Sequence, residues 1–238
     1  MRRRHDWATM MTRPFAGALT GVVGPAVFTG AWVISSLRQT GYAPADIQLS
    51  GLAAPDARDP WIMLTGFAAL GGSAVLFGRT LRTALGGRES AGPGPALIQG
   101  AGVLTIAAGL MRRDHMLLTA GPVSWHNHAH DVISALIYAD LVLAQLALAR
   151  TFGRDVPSRA WRQCQSWRPW MLASGLASAA ALIVFATDTS APEAGVTQRV
   201  AVSIPLAALA AMATRLATQT QTHAQPQSQA QAHAQTQP

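Results

Sequence analysis

Four stretches of this chain run uncharged for about 18 residues or more, the length at which an apolar helix crosses a hydrocarbon core roughly 30 Å thick. They are residues 14–37, 61–78, 91–111 and 169–187. Half of the 238 residues are hydrophobic and 12% are charged, whereas an average globular chain carries roughly a quarter charged residues. A water-facing surface is not built from that composition, so simple soluble, disordered and collagen-like classes fall away together. The single cysteine, Cys164, has no second thiol to join within the chain, and no disulfide framework is expected.

Two further segments complete the set. Residues 124–149 have the length of a span but carry His126, His128, His130, Asp131 and Asp140. The last segment, 198–217, is short and bounded by Arg199 and Arg215, whose long side chains snorkel to the two interfaces. The expected fold is an all-α polytopic membrane protein, one bundle of six transmembrane helices at about 14–37, 61–85, 91–111, 124–149, 169–187 and 198–217. A basic segment, 1–13, precedes it. Its MRRRH start imitates a secretory signal, but the apolar run is long and lacks a small-x-small cleavage site, so it reads as a retained first helix. Residues 218–238 are a Gln/Ala/Thr tract without apolar periodicity, expected to be disordered, with His223 and His233 solvated. Glycines within the spans, such as Gly21, Gly24 and Gly102, read as points of close helix approach.

Arginine distribution sets the orientation. All 18 basic residues are Arg, which with the abundant Ala reads as coding bias of a GC-rich bacterial genome. Placing both termini in the cytoplasm puts thirteen arginines inside and leaves Arg38, Arg58, Arg112, Arg113 and Arg199 outside. The expected location is therefore the inner (plasma) membrane, multi-pass, N-in and C-in. In the loop 151–170, Arg159, Arg162 and Arg168 interleave with Trp161, Trp167 and Trp170. Between two spans that pattern reads as an anchor at headgroup level, with membrane lipid as the partner and no nucleic acid. Trp61 and Trp125 read as interfacial anchors in the same way.

Ionisable groups in a bilayer are costly, and here they gather in one region. Asp114 and His115 close the third span; His126, His128, His130 and Asp131 open the fourth, beyond a Gly121–Pro122 turn. His126 and His130 are one helical turn apart on one face, a spacing at which two imidazoles share a metal ion, with Asp114 or Asp131 as a third ligand. His128 and Asp131 project elsewhere. A structural reading stands beside the metal: Arg199 closing the outer face by pairing with Asp114, Asp131 or Asp188. Asp140, about four turns beyond His126, lies at mid-membrane depth, with Gln99 or Ser134 as expected hydrogen-bond partners. No His-Glu-x-x-His motif or cysteine pair accompanies these residues.

The segment YAPADIQLSGLAAPDARDPWIMLTGF, with HAHDVISALIYADL in the fourth span, resembles the bacterial and archaeal membrane family DUF 998, a domain of unknown function. The likeness runs from about Gly17 to Arg215. It matches the family's aspartate to Asp114, its histidine to His130, its arginine closing the fourth span to Arg150, and its Gly-x-x-x-Arg to Gly195–Arg199. His126, His128 and Asp140 do not fall on the pattern. The resemblance implies a six-helix integral membrane protein and supplies no activity.

Three functions remain open on the residues. The first is a lipid- or partner-binding bundle with an outward-facing cluster of Asp114, His126, His130, Asp131 and Arg199. The second is a metal-dependent hydrolase at the outer leaflet, with His130, Asp114 and Asp131 as catalytic candidates and His126, His130 and Asp114 as metal ligands. The third is a small proton-coupled transporter using Asp140, against which the lack of an internal repeat counts.

Overall fold

The structure, a computed structural model, describes residues 6–117, 121–154, 166–187 and 192–235, with side chains between 16 and 218 apart from Arg88. Among the described residues the secondary structure is helical throughout: α1 (Asp6–Arg38), α2 (Trp61–Ala84), α3 (Arg88–Ala91), α4 (Gly94–Leu110), α5 (Trp125–Phe152), α6 (Arg168–Thr187) and α7 (Ala194–Gln235). A short 3-10 turn, Leu49–Ala53, lies in the connection between α1 and α2.

Local chemistry sets the breaks between these helices. At the end of α2, Gly86 and Gly87 adopt φ of 86° and 92°, and Gly87 N–H donates to Arg82 O at 3.0 Å, so the last carbonyls are satisfied by a left-handed cap. Gly92, at φ 64°, then separates the single turn α3 from α4, which begins with Pro95 in its first turn. The third apolar run of the sequence, expected as a span from 91, therefore yields a helix of 17 residues that starts at Gly94. At 1.5 Å per residue it rises about 25 Å. At the start of α5, Ser124 is the N-cap and accepts from Asn127 N–H.

Among the described residues, five helices are long and apolar enough to cross a membrane: Ala16–Arg38, Trp61–Ala84, Trp125–Phe152, Arg168–Thr187 and Ala194–Thr218. The apolar α4 falls just short of that length. Large aliphatic side chains such as Val23, Leu76, Val103, Leu143 and Ile183 are half or more exposed on the outside of the bundle. Apolar exposure on every flank is the pattern of a helix set solvated by lipid. The protein is an all-α, membrane-embedded, multi-pass helical bundle.

The helices form a closed ring in chain order: α1 packs on α2, α2 on α4, α4 on α5, α5 on α6, α6 on α7, and α7 returns to α1. Small residues allow the closest approaches. A Cβ on Gly71 of α2 would lie 2.5 Å from Gly102 O of α4, and one on Gly102 would lie 2.6 Å from Gly71 O, so the two backbones touch. Phe77, Ile98, Leu148 and Met171 fill the core of one half. Met63, Phe67, Tyr138 and Phe185 fill the other, where Leu49, Leu52 and Ala53 of the 3-10 turn join them. That turn is a plug: all five of its residues are buried, and Gly51 lies so close to the backbone of Met116 that a Cβ would meet its carbonyl oxygen at 2.5 Å.

The Gln/Ala/Thr tract expected to lack structure carries helical backbone to Gln235 as a continuation of α7. Ala and Gln have favourable helix propensity, and extending an existing helix needs no new nucleus.

Candidate functional site

The polar residues expected at one end of the bundle assemble around the α4–α5 connection, in a different pairing from the expected one. Arg113 Nη2 donates to Asp131 Oδ1 at 2.7 Å. Asn127 Nδ2 donates to the other carboxylate oxygen of Asp131 at 3.0 Å, and Asn127 Oδ1 accepts from Asp114 N–H at 3.4 Å. The Asp114 carboxylate accepts from Ser124 N–H at 2.6 Å and from the Ser124 hydroxyl at 2.7 Å. The backbone bond from Ser124, followed by that from its hydroxyl, holds the Asp114 carboxyl below the ordinary carboxylate value. One network thus ties the loop to the first turns of α5.

His130 stands one turn further along α5. It is 1% exposed, its ring meets Phe67 edge to face at 6.4 Å between centroids, and its Nδ1 lies 3.0 Å from Ala108 O in the last turn of α4. A carbonyl oxygen only accepts, so Nδ1 carries the proton, and Nε2 of the neutral ring presents a lone pair. That Nε2 is buried without a hydrogen-bond partner. Arg113, 7% exposed, likewise has Nε and Nη1 buried without partners. Buried polar groups are ordinarily satisfied, and each orphan costs free energy unless something binds it.

Both residues line a cavity of about 290 Å³. Asp131, Ser134 and Tyr138 of α5 line it on one side, with Gln198 of α7 and Leu182 and Phe185 of α6 facing them. Gln48 and Ser50 of the buried connection form its cover, held there because Gln198 Oε1 accepts from Leu49 N–H at 2.5 Å. Both polar and apolar side chains line the cavity, and apolar surface is the larger part.

Other expected residues sit elsewhere. Arg199 pairs with no described carboxylate: its Nη1 donates to the carbonyls of Pro44, Ile47 and Gly195, its Nη2 to the Tyr42 hydroxyl at 2.5 Å, and its guanidinium lies 5.4 Å from the Trp32 ring centroid. The expected clasp with Asp114 or Asp131 is thereby corrected, because both carboxylates are taken by nearer donors; Asp188 lies outside the described residues. Gly195, one turn before Arg199, lets the 44–47 backbone close on α7, where a Cβ would meet Ile47 O at 2.6 Å. The Gly-x-x-x-Arg spacing is a device for holding that connection down.

His126 is exposed and stacked on Trp125 at 3.8 Å between ring centroids, and His128 is exposed. Among the described residues no three His, Cys, Asp or Glu side chains are placed to hold one metal ion. His126 and His130 share no third ligand, since Asp114 is engaged by Ser124 and Asp131 by Arg113 and Asn127. Asp140 faces α4, where a Cβ on Gly100 would lie 2.8 Å from its Oδ2. Gln99, an expected partner of Asp140, donates to Pro95 O. Trp61, Trp125 and Trp170 are exposed, whereas Trp167 is partly buried with Arg215 over its ring at 5.5 Å; Trp161 lies outside the described residues.

Arg113, Asn127, Tyr138 and Gln198 are the residues that sequence reasoning missed. Arg113 directly precedes Asp114 and reads as one more loop arginine; its burial depends on Asp131, 18 positions on. A family model, the protein of unknown function DUF998, matches residues 22–215. The chain belongs to the DUF998 family. The match takes in every helix that lines the cavity and both of its orphaned polar residues. Among curated proteins and among solved structures, none matches the chain.

Proposed function

We propose that this DUF998 protein is a six-span protein of the inner (plasma) membrane, with both termini cytoplasmic, that binds a lipid-derived amphiphile in the cavity at its outward end. The carrying observation is the cavity of about 290 Å³, which Arg113 and His130, each with a buried atom lacking a hydrogen-bond partner, line together with Leu182 and Phe185. Such a space suits a molecule with a polar head and an apolar body. The arginine excess at one end supports the orientation, and α4, inserted in the ring between α2 and α5, supports counting it as the sixth span. Trp61, Trp125 and Trp170 serve as interfacial anchors in this arrangement.

The orientation is tested in a Cys164→Ala background with a membrane-impermeant maleimide. Arg58→Cys should label on intact cells and Glu89→Cys only after permeabilisation; the reverse pattern refutes the topology. The binding reading is tested by native mass spectrometry of the full chain released from nanodiscs, where retained amphiphile is expected; a chain that emerges bare from lipids of every class refutes it.

A proton-coupled carrier is the second reading, because the Asp140 carboxyl lies well inside α5 with no hydrogen bond among the described residues. Flux that is unchanged in Asp140→Asn proteoliposomes ends it. Among the described residues, the hydrolase reading lacks the third metal ligand that its chemistry needs.

A further inference from the structure

We infer that the outer cavity and two smaller voids along the bundle axis form one seat for a single-chain amphiphile whose head is a carboxyl group, a long-chain fatty acid. This rests on the lipid-binding reading above and names its ligand class.

The voids line up. The outer cavity shares Ser50, His130, Ser134, Tyr138 and Gln198 with a void of about 50 Å³. That void in turn shares Leu70, Thr105, Ile137 and Val202 with a third of about 40 Å³. Along α5 the lining moves from His130 to Ser134, Ile137 and Leu141, and along α7 from Gln198 to Val202, Leu206 and Leu209. Three- and four-residue steps are successive turns of one helix face, so the voids follow the axis. Polarity falls along the same path, since Thr20 and Thr105 are the polar side chains lining the last void. The inner voids, about 50 and 40 Å³ and lined mainly by apolar side chains, favour one hydrocarbon chain over the two of a diacyl lipid.

The head group is inferred from Arg113 and His130, which both line the outer cavity and both carry buried atoms without a hydrogen-bond partner. Arg113 offers buried N–H donors at Nε and Nη1, and His130 offers a lone pair at Nε2. A carboxyl group answers both: one oxygen accepts from the guanidinium while the O–H donates to the imidazole. Charge balances as well. Arg113 and Asp131 cancel, so a neutral acid enters without adding net charge, and passing its proton to Nε2 turns it into a carboxylate beside two cations. A phosphate head brings further negative charge against Asp131, and an alcohol gives His130 a donor but leaves the guanidinium a weak acceptor.

The test is native mass spectrometry of the full chain in nanodiscs, equilibrated with palmitate, hexadecanol, 1-palmitoyl lysophosphatidate or butyrate. One palmitate per chain should be retained, at least tenfold over hexadecanol and over butyrate. His130→Asn keeps an N–H toward Ala108 but removes the lone pair, and should cut palmitate retention about tenfold; Val202→Phe, which narrows the bore, should do the same. Equal retention of hexadecanol, preference for lysophosphatidate, or palmitate binding indifferent to His130→Asn overturns the fatty-acid assignment. In those cases an amphiphile that Val202→Phe expels still upholds the broader lipid reading, and retention of none of them sinks both. If His130→Asn fails to fold, the wild-type preference for palmitate over hexadecanol decides.

Discussion

His130 Nδ1 lies 3.0 Å from the carbonyl oxygen of Ala108, joining the first turns of α5 to the last turn of α4. The final carbonyls of a helix have no partner within it, so the imidazole supplies what the end of α4 lacks. The same contact fixes the tautomer and turns the lone pair of Nε2 to the far side of the ring. His130→Leu removes the donor and should lower stability by about 1–3 kcal/mol, whereas His130→Asn should recover most of that loss. Unfolding midpoints in detergent compare the two.

The Arg113–Asp131 pair is asymmetric, with side chains 8% and 44% exposed. Removing the acid strands a buried cation, while removing the cation leaves a carboxylate that still reaches water and Asn127. Asp131→Asn should therefore cost on the order of 3 kcal/mol, and Arg113→Met clearly less. Equal losses in the two variants contradict this account.

Gly71 and Gly72 are adjacent and make opposite predictions. A Cβ on Gly71 meets the α4 backbone, and one on Gly72 meets nothing within 4 Å. Gly71→Ala should cost roughly 1–3 kcal/mol by overpacking, and Gly72→Ala should be neutral or slightly stabilising. Detergent melting curves of the two variants decide it.

Acid should loosen the start of α5. Asp114 has its folded carboxyl pKa depressed by Ser124, so the stability it confers is present above the unfolded value of about 3.9. That stability is lost as pH falls through the lower, folded value. Fluorescence changes from the neighbouring Trp125, followed from pH 5 downward, should show this step in the native chain and not in Asp114→Asn.

The helices were legible because lipid imposes a simple demand: every backbone group is satisfied internally and long apolar runs become spans. The 91–111 run came out shorter because Gly92 takes a left-handed conformation that an apolarity scan does not register. The site was legible only in part. Asp114, His130 and Asp131 stand out in sequence as ionisable groups near lipid, and each makes a hydrogen bond at the junction of α4 and α5. Their partners did not stand out. Arg113 shares its loop with Arg112, and nothing local says which one folds inward. The burial of the 3-10 turn Leu49–Ala53 carries no mark in sequence, since burial of an irregular segment depends on contacts with Gln198 and Met116, some 149 and 65 positions away. Charge alone pairs Arg199 with a carboxylate, but carbonyls left bare by an irregular connection compete for its guanidinium and carry no mark in sequence.

Because α7 closes the circle against α1, the ring has no wall on that side until α7 has packed. If the proposed fatty acid occupies the axis of the ring, it is most easily enclosed before α7 packs. Under that proposal, newly made and mature protein should differ in how fast they exchange labelled palmitate.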